Sequence, residues 1–393
     1  MKKLISLLLI ICITFPLSSC TTTAPPTEPQ SFAQPQAQPP TPAIPVVEIE
    51  ETDGKIVILT IDASGRGISD YVNAVVGLYP DRIIHCDLPS GWNIQGGRAE
   101  GSWLERVWPL VEAEISDEQV KVIIIFTPDS RGIEVLSQVR KHRPDIFSIS
   151  PFRNIYADLS PAINIHYFLG SVVQQAKLMG VETIVNYIET NQNMTRAEIF
   201  REESKRHGIQ YVEVIDYQKY VALTVMPNIE EMIERYGKNT MFVATGGRFL
   251  FSTGYSLRHG AIAVLNSSPA MINILRPGPM LAEIEMSFFD VPYHHVDYDW
   301  QQERIIETLK EHNATGRFAA WRIPFNHISL AASVEYAIGY IDGKIESRAD
   351  YDALYESFRR GFEILNSADT AFELIKSEEH DNVFYFLQEF VVF

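Results

Sequence analysis

The sequence is poor in cysteine and poor in net basic charge, and it lacks the common motifs of catalysis. Its three cysteines are Cys12, Cys20 and Cys86. Two fall in the first twenty residues, so Cys86 alone remains for a folded part and no internal disulfide is expected. Stability must then come from a core, which an apolar fraction of 46% allows. Lysine and arginine total 33 against 50 aspartates and glutamates, a formal net charge of −17. Such a surface repels phosphate backbones and argues against general nucleic-acid binding. Gly-x-Ser-x-Gly, His-Glu-x-x-His, a Walker A run and a complete dinucleotide fingerprint are missing, which removes the motif-based routes to hydrolase, metalloprotease or nucleotide-binding chemistry.

What is present begins with an apolar stretch, residues 4–15, behind Lys2 and Lys3. It is too short to span a bilayer comfortably and has the layout of an export signal. It ends in Leu17-Ser18-Ser19-Cys20, which resembles the bacterial lipobox. The resemblance implies cleavage before Cys20, acylation of that cysteine (palmitate included), and anchoring at the cell membrane on its extracytoplasmic side. The alternative is a plain secretory signal with an incidental cysteine. Residues 20–54 then comprise the lipidated cysteine and a Pro-, Gln-, Thr- and Ala-rich tether with no hydrophobic period.

The stretch 181–216 sets the pattern for the rest. Residues 183–188 form an apolar run suited to a strand buried on both faces. A polar loop follows. Thr195 and Glu198 have the spacing of a capping box, Gly208 suits a helix end, and 209–215 reads as a second strand. The same rhythm precedes it, with strands at 55–61, 82–86, 121–126 and 146–149. Helices are expected at 71–78, 103–115 and 132–142, with a crossing near 158–161. After it come a helix at 229–236 capped by Asn228 and strands at 241–244 and 261–265; a helix at 165–179 leads into it. This alternation predicts an α/β protein of two similar lobes, each a parallel sheet flanked by helices. From Pro277 the rhythm breaks. Residues 283–289 and 293–298 read as extended, 301–312, 328–338 and 351–365 as helices, and 383–393 as a packed apolar end. The expected organisation is a signal at 1–19, the tether at 20–54 and lobes at 55–160 and 161–275. Residues 276–393 supply crossover segments and C-terminal helices packed on both lobes.

Gly170, the Gly-Val-Glu-Thr-Ile-Val-Asn-Tyr run at 180–187, Arg196, Phe200 and His207-Gly208-Ile209 look like the second-lobe opening of the type I periplasmic-binding-protein family. The same fold forms the ligand-sensing core of lac-repressor-like regulators, and the chain is also similar to a group of bacterial lipoproteins assigned to it. The resemblance spans roughly 55–299. It implies a ligand cleft between the lobes, capture of a small polar molecule, and transfer to a membrane partner, an ABC importer. A sensor reporting to a membrane signalling protein would use the same cleft. The regulator form carries a DNA-binding helix-turn-helix ahead of its core; here that place reads as signal and tether, so the exported form is expected.

In parallel α/β sheets ligands sit beyond the carboxyl ends of the strands. This selects Asp62, Ser64 and Arg66 after the first strand, Asp87 after the second, and Asp129, Ser130 and Arg131 after the third. In the second lobe it selects Tyr187, Glu189 and Asn191, then Asp216 and Tyr217, then Gly246, Gly247 and Arg248, and Asn266. The arginines suit a carboxylate or phosphate, the acids suit hydroxyls or an amine, and Trp92 and Tyr187 suit a flat ring. Weak solvated ion pairs and a tight Gly-Gly turn are the plainer alternatives. His295, Asp297 and Asp299, beside His294, would share one face of a strand. They are the candidate for a metal site in an envelope hydrolase, against an ordinary polar edge. Cys86 reads as a small core residue. No cofactor, resident metal or catalytic residue is expected.

Overall fold

The computed structural model describes residues 53–63, 68–90, 102–127, 130–188, 194–215, 229–244, 260–265 and 298–393. All lie in one compact unit, Ile49–Phe393.

Strand β1 (Lys55–Ile61) shows why a parallel sheet forms. It is apolar at nearly every position and buried along its length after Lys55. Ile56 and Ile58 point into one core, while Val57, Leu59 and Ile61 point into another. Helices must therefore cover both faces. Helices α1 (Ser69–Leu78) and α8 (Phe325–Ile341) supply one cover, and α2 (Trp103–Ile115) and α3 (Arg131–His142) the other. Strands β2 (Ile83–Leu88), β3 (Val120–Ile125) and β4 (Phe147–Ile149) complete a parallel sheet of order β2-β1-β3-β4. A parallel bridge from Ile149 to Leu159 extends it to β5 (Ser160–Ala162). Beyond β5 lie β12 (Val383–Gln388), parallel, and β11 (Phe372–Lys376), antiparallel.

The second lobe repeats the plan. Helix α4 (Ile165–Leu178) leads into β6 (Thr183–Ile188), α5 (Met194–Arg206) and β7 (Gln210–Ile215), then α6 (Ile229–Tyr236) and β8 (Thr240–Ala244). The sheet order β7-β6-β8 is parallel and continues through a Met241–Ile262 bridge to β9 (Ala263–Leu265). Helix α7 (Tyr298–Glu311) packs on β9 and on β10 (Phe318–Trp321), which runs parallel to β9. The last strand, β13 (Phe390–Val392), is antiparallel to β10. Helix α9 (Tyr351–Ile364) lies against α8.

Several boundaries differ from the sequence reading. Helix α5 starts at Met194, so Thr195 lies inside its first turn and is not its cap. Gly208 does take the left-handed conformation (φ 65°) where the chain leaves that helix, and the Ile209 amide returns to the Ser204 carbonyl at 2.8 Å. The expected crossing at 158–161 instead contains β5, and the chain leaves the lobe just after it. Tyr298, expected in an extended segment, opens α7; 293–297 lie outside the described residues. The apolar end packs as expected, and does so as β12 and β13.

Three crossovers join the lobes, at 163–164 between β5 and α4, at 322–324 between β10 and α8, and at Glu389 between β12 and β13. Each leaves a strand at its carboxyl end. The carboxyl edges of both sheets therefore meet the hinge. Trp321, the last residue of β10, is 0% exposed. Its ring centroid lies 5.4 Å from Phe168, 5.9 Å from Phe386 and 6.2 Å from Phe390, residues that flank the other two crossovers. The Gln388 side-chain amide donates to the Ile323 carbonyl, tying the second crossover to the third.

Buried polar contacts also meet here. The Tyr71 ring of α1 stacks on the His327 ring of α8, with centroids 3.8 Å apart and planes 10° from parallel. The Tyr71 hydroxyl donates to the His327 carbonyl, and the Tyr298 hydroxyl meets His327 Nδ1. Burial lowers the His327 pKa from its ordinary value to about 3 and raises those of both tyrosines.

Two predictions follow from this packing. Helix α8 is buried on almost every face, and α9 approaches it closely at Gly361. A Cβ there would lie 3.0 Å from Ile328 Cδ1 and 3.3 Å from the Ala332 amide nitrogen. Gly361→Val should therefore destabilise the protein by about 1–3 kcal/mol, read as a lower denaturant midpoint at unchanged slope. His327 is held neutral in the folded protein and titrates normally when unfolded, so the unfolded state binds the extra proton between about pH 3 and 6.5. This contribution is complete above pH 6.5 and is lost as pH falls through that window, by up to about 1.4 kcal/mol per pH unit. Unfolding curves of wild type and His327→Gln from pH 4 to 7 should show a shallower pH dependence in the variant; parallel profiles would contradict it.

Candidate ligand cleft

The best-described wall of the cleft is the carboxyl edge of the first sheet. Thr60 is a polar residue inside the otherwise apolar run of β1 after Lys55, and it is fully buried. In the parallel register it lies beside Asp87 of β2. The Thr60 hydroxyl donates to Asp87 Oδ1 at 2.7 Å and lies 2.8 Å from His85 Nε2. Because that hydroxyl proton is committed to Asp87, it accepts from His85, which places the imidazole hydrogen on Nε2. Burial lowers the His85 pKa, and the Asp87 charge opposes the shift. The Asp87 carboxylate also accepts from the Ala63 amide, at 3.0 and 3.2 Å to its two oxygens. This grips the chain just as it leaves β1. Asp62, one residue earlier, takes φ 55°, a left-handed conformation that aspartate tolerates better than most residues.

Next to it, Trp103 donates its indole N–H to the Pro89 carbonyl at 2.8 Å. The Arg131 guanidinium lies 4.9 Å over the Trp103 ring and donates to the Ser90 carbonyl. A cation over an aromatic face is attracted by the ring quadrupole. The contact ties the segment after β2 to the start of α2 and α3. Ser130 is the N-cap residue of α3, in helical conformation and without a side-chain cap bond.

Of the residues selected from sequence, the structure therefore brings Asp62, Asp87, Ser130 and Arg131 to one sheet edge. Tyr187 is placed differently. It sits in β6 at 1% exposure, in a core cluster with Val185, Ile229 and Phe242. Ser64, Arg66, Asp129, Glu189, Asn191, Gly246, Gly247, Arg248 and Asn266 lie outside the described residues, as do Cys20, Trp92, Asp216 and Tyr217. So do His294, His295 and Asp297, while Asp299 is engaged by Arg322 at 3.1 Å. Among the described residues no group of three or more His, Cys, Asp or Glu side chains gathers in a way that could hold a metal ion. None of their helices is long and apolar enough to cross a membrane.

Thr60 and His85 are not among the residues selected from sequence. A signal for His85 was available, since His85 and Asp87 are two apart on one strand and so share a face. The polar hinge residues Arg322, His327 and Gln388 had no comparable signal, because their neighbours come from distant parts of the chain.

Among solved structures, the chain is similar to a putative transcriptional regulator from Clostridium difficile 630, with a TM-score of 0.68 at 16% identity over 87% of this chain and 99% of that one. That likeness shows a shared fold. A substrate-binding protein of a sugar ABC transport system from Bordetella parapertussis 12822 aligns with a TM-score of 0.46 at 10% identity, covering 87% of this chain and 89% of that one. A solute-binding protein of an ABC transporter from Rhodopseudomonas palustris HaA2, in complex with p-hydroxybenzoic acid, gives 0.42 at 10% identity over 86% and 91%. The architecture is α/β, with parallel sheets flanked by helices in two lobes. No curated protein sequence matches the chain. A family model matches residues 110–319, from within α2 to within β10, and on that match the chain belongs to the family described as protein of unknown function (DUF3798).

Proposed function

We propose that the protein is an envelope-anchored solute-binding lipoprotein that takes a small polar ligand between its lobes and passes it to a membrane transporter of the ABC importer class. The observation that carries this reading is the hinge. Three short crossovers leave strands at their carboxyl ends, so the loops of both lobes border one cleft, and relative motion of the lobes can enclose a ligand there. Arg131 and Asp62 on one wall, with Arg66 in the sequence just after Asp62 and Arg248 in the sequence after β8, favour a ligand with an anionic group and hydroxyls. The role is capture and release, with no covalent chemistry. The lipobox-like Leu17–Cys20 sequence supports lipid anchoring on the extracytoplasmic side, with the Pro-rich segment as tether.

Two measurements test this reading. Native mass spectrometry of the exported chain with Cys20→Ser should release a stoichiometric small molecule, or a thermal-shift screen of sugars, nucleosides, amino acids and vitamins should find one that stabilises it. A ligand at about a hundred times its dissociation constant adds about 2.7 kcal/mol. No bound molecule and no shift in any class would count against solute binding. For the anchor, metabolic labelling with palmitate should mark the wild-type protein in the membrane fraction, and Cys20→Ala should lose the label and leave that fraction. An unchanged distribution would refute lipidation at Cys20.

A further inference from the structure

Apart from the covalent crossovers, a buried hydrogen bond between described residues passes from lobe to lobe. His327 belongs to the first lobe. It sits in the first turn of α8, which packs on α1, β1 and β3. Its ring is stacked on Tyr71 and its carbonyl accepts from the Tyr71 hydroxyl, so both ends of the residue are fixed in that lobe. Tyr298 belongs to the second lobe. It opens α7, whose later residues Ile305 and Leu309 pack with Ala263, Phe318 and Phe393. The Tyr298 hydroxyl reaches His327 Nδ1 at a site where both side chains are buried.

A second contact runs beside it. Arg322, in the crossover between β10 and α8, pairs with Asp299 of α7 at 3.1 Å and also with Asp369, between α9 and β11. One guanidinium thus links the start of α7 to the first-lobe segment ahead of β11. Asp299 and Asp369 are largely exposed, and ion pairs of that kind contribute little. The buried bond is the stronger part. Separating two buried polar groups leaves each without a partner until water reaches it, so the contact is either made or replaced by water.

We infer that the Tyr298–His327 hydrogen bond is an interlobe latch, holding the lobes in the arrangement seen here and breaking when they swing apart. The latch is independent of what the cleft binds, so it stands or falls separately from the proposed function.

The test is hydrogen–deuterium exchange with small-angle scattering on the ligand-free exported chain (Cys20→Ser), comparing it with the same chain carrying Tyr298→Phe. The substitution keeps the ring and removes only the hydroxyl. Amides at 322–327 and 298–302 should exchange about five- to tenfold faster, those of β1, β3 and β6 should be unchanged, and the radius of gyration should rise. Tyr71→Phe, which removes a hydroxyl whose described hydrogen bond lies within the first lobe, should change exchange at 298–302 by less than about twofold. The latch is overturned if Tyr298→Phe leaves hinge exchange unaltered. Equal acceleration in β1 and β6, or the same effect at 298–302 from Tyr71→Phe, would overturn it as well.

Discussion

The structure depends on one indole. Trp321 ends β10 and is covered by Phe168, Phe386 and Phe390, so aromatic residues beside all three crossovers close around it. Each lobe could be assembled from its own sheet and helices. Their relation to one another rests on three short connections that have little surface of their own. A buried tryptophan contributes more apolar area than any other side chain at such a junction. Because its neighbours come from α4, β12 and β13, none of these elements can shift far without uncovering it. The indole N–H is buried without a hydrogen-bond partner among the described residues, a cost the packing must exceed.

Around that fixed point the first lobe presents a rigid polar edge. The Thr60 hydroxyl is shared between His85 and Asp87, and Asp87 also fastens the backbone at Ala63. A loop that begins from a clamped residue has fewer conformations to lose when a ligand arrives, which favours binding. The Trp103–Arg131 contact does the same for the neighbouring edge. The candidate wall is thus held by side chains in the strands as well as by its loops.

Much of the fold was legible in the sequence because parallel strands are apolar on both faces and their helices keep a helical period. The strand at 183–188 and the helices at 103–115 and 351–364 were readable almost to the residue. What failed was short or non-local. Phe318–Trp321 has four residues and no period to display. Strand β5 contains a proline and pairs with a segment more than two hundred residues away, so nothing near it announces a strand. The capping pattern at Thr195 and Glu198 falls inside α5, which already includes Met194. The strand-end rule selected Asp62, Asp87, Ser130 and Arg131, which lie together at one sheet edge. It also selected Tyr187, which the next β-strand and α6 enclose in a core, because the rule locates the end of a strand and not the face to which a side chain turns.

Cys86, described above only as a small core residue, has a practical consequence. It is the sole cysteine of the folded part, it is buried, and burial with nearby carboxylates pushes its thiol up to about 11. A thiol that is both covered and protonated reacts slowly with alkylating probes. A form lacking the N-terminal cysteines therefore offers a nearly silent background for site-directed labelling. A pair of dyes or spin labels, one on the surface of each lobe, would report the distance between them directly, with no native residue to remove first.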